Sequence, residues 1–135
     1  MALTRFKFLM FLLLSLPTLA HADCFKTVHE VRANKVKIRW QETTANDGNP
    51  MTISIANGAG GLVYSAKKDG KLWLSGNISV CRSGRDIEIT MKDSKTTANV
   101  PMIARMAFPR TQSAHIAGNQ IKLAGGAWSG TFVGQ

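Results

Sequence analysis

The stretch from Lys71 to Lys92 restricts the folds open to this chain more than any other, because polar and apolar residues alternate along both arms of a hairpin. With Ser83-Gly84 as a two-residue turn, Arg82 stands opposite Arg85, Cys81 opposite Asp86, Val80 opposite Ile87 and Ile78 opposite Ile89. One face of the ribbon is then apolar and the other polar. A slip of one residue would carry Ile78 and Val80 to the side of Glu88 and Thr90, so the alternation nominates the buried face.

The same rhythm extends through most of the chain. Asn34 to Trp40 alternates Val36, Ile38 and Trp40 with Lys35, Lys37 and Arg39, as a half-buried strand does. An Asn57-Gly58 turn sets Ile53 against Leu62 and Met51 against Tyr64. After Lys67, a three-residue loop from Lys68 to Gly70 keeps Leu72, Leu74, Ile78 and Val80 on one face and turns Trp73 outward beside Ser65 and Ser75. Further on, Gly118-Asn119 sets Ile116 opposite Ile121 and His115 opposite Lys122, and Gly125-Gly126 sets Leu123 opposite Trp128. One short helix is expected near 100–108, where Pro101 suits a first turn and Met102, Ile103, Met106 and Ala107 form an apolar stripe to pack over the sheet. The expected fold is all-β, an antiparallel meander of about eight strands forming a small barrel or sandwich.

The beginning of the chain reads as a leader. Arg5 and Lys7 precede an apolar run from Phe8 to Leu19 that is too short to span a membrane comfortably, and Ala20-His21-Ala22 offers a small-x-small cleavage pattern. Residues 1–22 are therefore expected to be a signal peptide and 23–135 a single β domain without a transmembrane segment, periplasmic or extracellular. In an oxidising compartment Cys24 and Cys81 are expected to form a disulfide. That bond bears on the first segment. An extended strand from Phe25 would start at the end of the sheet remote from Cys81, whereas a compact or helical segment from Cys24 to Arg32 brings the two cysteines together.

Charge directs the functional reading. Loss of Arg5 and Lys7 lowers the formal charge from +9 to +7, which favours anionic partners. Arg82 and Arg85 across the turn, with Arg32 and Lys35 brought to the same end, make the candidate anion site, since guanidinium forks suit phosphate and carboxylate groups. Trp73 is the candidate partner contact, or else a side chain covered by the N-terminal segment. No catalytic set is expected. His29 has no assigned nucleophile, and Asp86 and Glu88 share a solvent face where acidic groups keep a sheet soluble. No metal site or cofactor is expected either: the polar loop Thr43 to Pro50 offers a single carboxylate, Asp47, and Met102 and Met106 have no matching ligand cluster. The expected function is an exported non-catalytic binding protein with a basic surface for an anionic glycan, lipid headgroup or nucleic acid. The alternative is a small exported protein inhibitor or immunity-type protein that holds a protein partner.

Overall fold

A computed structural model of the protein describes residues 23–43, 45, 48–124 and 129–135. Residues 1–22, where a leader is expected, Asp47, and Gly125, Gly126 and Trp128, where a turn is expected, lie outside the described residues. The chain runs β1 (Asp23–Cys24), α1 (Val28–Ala33), β2 (Arg39–Glu42), β3 (Met51–Gly58), β4 (Gly61–Lys68), β5 (Lys71–Ser83), β6 (Asp86–Thr96), α2 (Met102–Arg105), β7 (Gln112–His115), β8 (Gln120–Leu123) and β9 (Gly130–Gly134). One antiparallel sheet orders them β7-β6-β5-β4-β3-β2-β9-β8, with β1 added to β5. The two edges approach each other through an Ala117↔Gln120 bridge, so the sheet is a nearly closed barrel rather than a sandwich.

Alternation explains what fills the barrel. Met51, Ile53 and Ile55, then Leu62, Tyr64 and Ala66, then Leu74, Ile78 and Val80 are buried, as are Ile89 and Met91, with Trp40, Ile121, Leu123 and Phe132 completing the interior. No charged residue among the described residues is buried. These are the inward positions that the period-two reading nominates.

The Gly118-Asn119 turn stands where the sequence implies, with Ala117 and Gln120 bonded to each other at 2.9 and 3.1 Å, but other turns sit elsewhere. Arg82 pairs with Ile87 and Ser83 with Asp86, so Gly84-Arg85 is the turn and the Arg82–Arg85 pairing is overturned. The physical reason is handedness: Gly84 takes φ +63° at the first centre position, a conformation that Ser83 would adopt only under strain. The β3–β4 turn is Ala59-Gly60, with Asn57 opposite Leu62. Asn57 is used otherwise, its Oδ1 accepting the Val28 N–H at 2.8 Å, and a Cβ on Gly58 would lie 2.6 Å from Val63 Cγ1, so that glycine serves close approach. The β8–β9 register sets Leu123 against Gly130 and Ile121 against Phe132, replacing the expected Leu123–Trp128 pair.

The three-residue loop after Lys67 is also corrected. Asp69 and Gly70, at φ +53° and +74°, make a two-residue turn of the kind that matches strand twist. The face is restored by a bulge instead: Lys67 pairs with Leu72 and Ala66 with Leu74, leaving Trp73 unopposed.

The ends of the barrel differ. At one, α1 and the Cys24–Cys81 disulfide, which joins directly opposed residues of β1 and β5, close over the β3–β4 turn. The compact segment expected from Cys24 to Arg32 forms, with Cys24 paired to β5 and a helix only from Val28, capped by Thr27 Oγ1, which accepts the Glu30 N–H at 3.2 Å. The strand expected from Asn34 begins only at Arg39. At the other end, α2 is a single turn rather than a helix over 100–108, and its apolar stripe does not cover the sheet: Met102, Ile103 and Met106 are exposed. Val100 is fully buried and Phe108 packs on the core, so these two residues pin the segment and turn the stripe to solvent.

Candidate functional site

The cations gather where α1 hands over to β2. Asn34 and Lys35 close α1 with paired bonds, Lys35 N–H to Arg32 O at 2.9 Å and Val36 N–H to Val31 O at 3.1 Å. Buried Val31 and Val36 flank this Schellman-type ending. Such an ending requires its penultimate residue in the left-handed region, where glycine is the usual occupant. Here that residue is Lys35, at φ +62°. Among the described residues, the other non-glycine positions with positive φ are Asp69 and Asp93, a residue type that tolerates the conformation through its short polar side chain. A lysine has no such compensation.

Arg32, Lys35 and Lys37 line one cleft of about 540 Å³ with Val36, Ile38 and Gln135. All three cations are exposed and no acidic residue lines the cleft. Two other surface depressions lack this excess. A groove of about 530 Å³ on the wall places Arg39 and Lys67 beside Asp69, and one of about 820 Å³ places Lys26 and Lys92 beside Asp93. Lys37 joins the expected pair of Arg32 and Lys35; its signal in the sequence is the Lys35-x-Lys37 alternation on the polar side of a stretch that here is loop.

Neither Arg82 nor Arg85 lines the cleft that Arg32 and Lys35 share. Arg85 is exposed within the turn. Arg82 follows the inward parity of Ile78 and Val80, pairs with Asp23 across β1, and buries its Nε with no hydrogen-bond partner. Trp73 is half-buried at the α2 end, edge-on to Phe108 with ring centroids 6.4 Å apart, under the Lys68 ammonium at 5.2 Å. It is covered by the segment after α2 and not by the N-terminal one, and with Met51, Phe108 and Phe132 it lines a cavity of about 110 Å³. The outward orientation beside Ser65 and Ser75 is therefore corrected, because the bulge turns the indole toward the barrel end.

On the outer wall His115 sits between two carboxylates, Nδ1 at 2.6 Å from Asp86 Oδ2 and Nε2 at 3.3 Å from Glu88 Oε2. The β6–β7 register makes this cluster by setting Glu88 against His115. All three side chains are largely exposed, which makes the cluster a solvated surface pairing. No group of His, Cys, Asp or Glu among the described residues is arranged to hold a metal ion.

No helix among the described residues is long and apolar enough to cross a membrane. Comparison of the chain with protein-family models, with curated proteins and with solved structures finds no match.

Proposed function

We propose that the protein is an exported, non-catalytic binding protein that holds phosphate or carboxylate groups of an anionic envelope or extracellular ligand in the cleft of Arg32, Lys35 and Lys37. The observation that carries this reading is Lys35 in a glycine's conformation. A non-glycine, non-Asx residue there costs roughly 1 kcal/mol, and strain of this kind is kept where a side chain is needed. The lining supports binding rather than turnover: three cations, two aliphatic side chains and one amide supply charge and shape but no group to move a proton.

Lys35→Gly separates the two roles of this residue. The variant is expected to unfold at higher denaturant, with a gain of up to about 1 kcal/mol, while binding to soluble anionic polysaccharide or DNA weakens. Arg32→Ala/Lys37→Ala is expected to weaken that binding further and to flatten its salt dependence. The measurement is a titration at several salt concentrations. Lys35→Gly that binds as the parent does would remove the argument from strain. An Arg82→Ala/Arg85→Ala variant that loses binding while the cleft variants keep it would return the site to the β5–β6 turn. A stoichiometric protein partner held through about 0.5 M salt would favour the inhibitor reading, because charge-driven association is largely screened there.

A further inference from the structure

At the end of the barrel opposite the cleft, Met102, Ile103 and Met106 are 76%, 94% and 95% exposed, the large hydrophobics left open among the described residues. Their exposure is built rather than loose. Val100 is fully buried, the Thr97 N–H donates to Trp73 O at 3.0 Å, and Phe108 lies edge-on to Trp73. The Arg105 guanidinium folds back onto Val100 O at 2.9 Å and Ala98 O at 3.4 Å, which holds the single turn of α2 in shape. A soluble surface gains nothing from three contiguous bare apolar side chains unless something covers them.

Charge and shape identify the cover. From Ser94 to Gln135 the chain contains no Asp or Glu, and Arg105 and Arg110 flank the tip. Lys71 and Lys95 are exposed at the same end, tied there by the Asn99 side-chain amide donating to Leu72 O at 3.0 Å and by the Ser75↔Lys95 pair. Among the described residues, the acids of this end are Asp69 in the turn beside Lys71; Asp93, whose Oδ2 accepts from the Asn77 amide; and Glu42, whose Oε1 accepts the Met51 N–H. We propose that this end docks onto an anionic phospholipid bilayer. Met102, Ile103 and Met106 enter the boundary between headgroups and acyl chains, and Lys71, Lys95, Arg105 and Arg110 lie among the phosphates. A protein groove is the poorer fit, because helix-in-groove recognition needs anchors over two turns and α2 has four residues. A bilayer accepts a convex apolar tip without a matching shape. The inference stands apart from the cleft, which lies at the other end of the barrel.

Vesicle co-sedimentation tests it, using the naturally processed protein and vesicles of phosphatidylcholine alone or mixed with phosphatidylglycerol. The parent is expected to bind the anionic vesicles and to bind neutral ones roughly tenfold more weakly. Met102→Ser/Ile103→Ser/Met106→Ser is expected to lose roughly tenfold or more on anionic vesicles. The side chains are exposed, so thermal unfolding should be unchanged, and Ile103→Asp gives a second variant with the same expected loss. In an Arg32→Ala/Lys37→Ala background the tip substitutions should cause the same fold-loss on anionic vesicles, which separates this site from the cleft. The proposal is overturned if the parent ignores anionic vesicles, or if both tip variants bind them like the parent. It is also overturned if the tip captures a stoichiometric protein partner while vesicles are ignored.

Discussion

Tyr64, the chain's only tyrosine, shows how a single residue reports on the whole interior. Its ring is buried opposite Gly76, and its hydroxyl is hydrogen-bonded to the Ser94 hydroxyl. Burial pushes the phenol above its ordinary value, and the Ser94 bond offsets part of that rise. A raised folded-state value means that the unfolded chain releases this proton first. The stabilisation is thus fully present below about pH 10 and is lost as pH climbs through the folded-state value. Phenolate absorbance of the native protein is expected to rise with a midpoint above that of the denatured chain. Tyr64→Phe should remove this part of the alkaline loss and cost about 1 kcal/mol at neutral pH for the lost hydroxyl bond. An unshifted phenolate midpoint would mean that the ring is not buried as described. Lys35 belongs to the same scale: one φ angle, not its charge alone, distinguishes it from the other lysines.

The elements are governed by two bulges, and both protect the inward face. Trp73 is the extra residue in β5, and it lets a two-residue turn coexist with Leu74 inside. The second irregularity lies between Ser75 and Asn77, where β6 inserts its extra length with Asp93 at φ +53°. Gly76 makes this possible: a Cβ there would lie 2.6 Å from Lys92 O and 3.1 Å from Tyr64 Cε1. Gly76→Ala must therefore push backbone aside, and a loss of about 1–3 kcal/mol in denaturant unfolding is expected. Trp73→Ala strips the cavity wall that Phe108 leans on, with an expected loss of roughly 2–4 kcal/mol. Because Thr97 and Asn99 are also bonded to Trp73 O and Leu72 O, that variant should loosen the α2 segment before the rest of the barrel. Faster amide exchange confined to 97–108 is the measurement that would show it.

For the whole molecule, the disulfide ties the first described residues to the last residues of β5, at the α1 end of the barrel, across a sequence separation of 57. The chain-entropy argument assigns about 4 kcal/mol to a loop of that length. Reduction, or Cys24→Ser/Cys81→Ser, should shift the unfolding midpoint accordingly, and the unreduced protein should weigh about two mass units less than its dithiol form. A variant as stable as the parent would place the holding force in the β1–β5 pairing, where the Phe25 N–H already donates to Val80 O at 2.9 Å. The molecule is also polar in the sense of having two unlike ends. One carries the cationic cleft beside α1, and the other carries the apolar tip with its basic flank.

What the sequence determined by itself was the inward face. The β3–β4, β5–β6 and β8–β9 registers each differ from the expected one by an even number of residues, so Ile78, Val80, Ile89 and Leu123 stay inside although the turns move. Period-two alternation is a property of the strand alone, and a buried face tolerates only even shifts. The Cys24–Cys81 pairing and the compact first segment were legible for a related reason, since compartment and reach constrain two cysteines strongly. Tertiary structure decided the rest. Asn57 could not serve as a turn centre once Val28 claimed its side chain, Trp73 was turned by a bulge that no local pattern announces, and His115 met Asp86 and Glu88 only through the β6–β7 pairing. The candidate sites depend on distances between residues far apart in sequence and on which side of a short segment is pinned. Lys37 joined Arg32 and Lys35 because α1 ended where it did, and Met102, Ile103 and Met106 faced outward because Val100 and Phe108 took the inward places first.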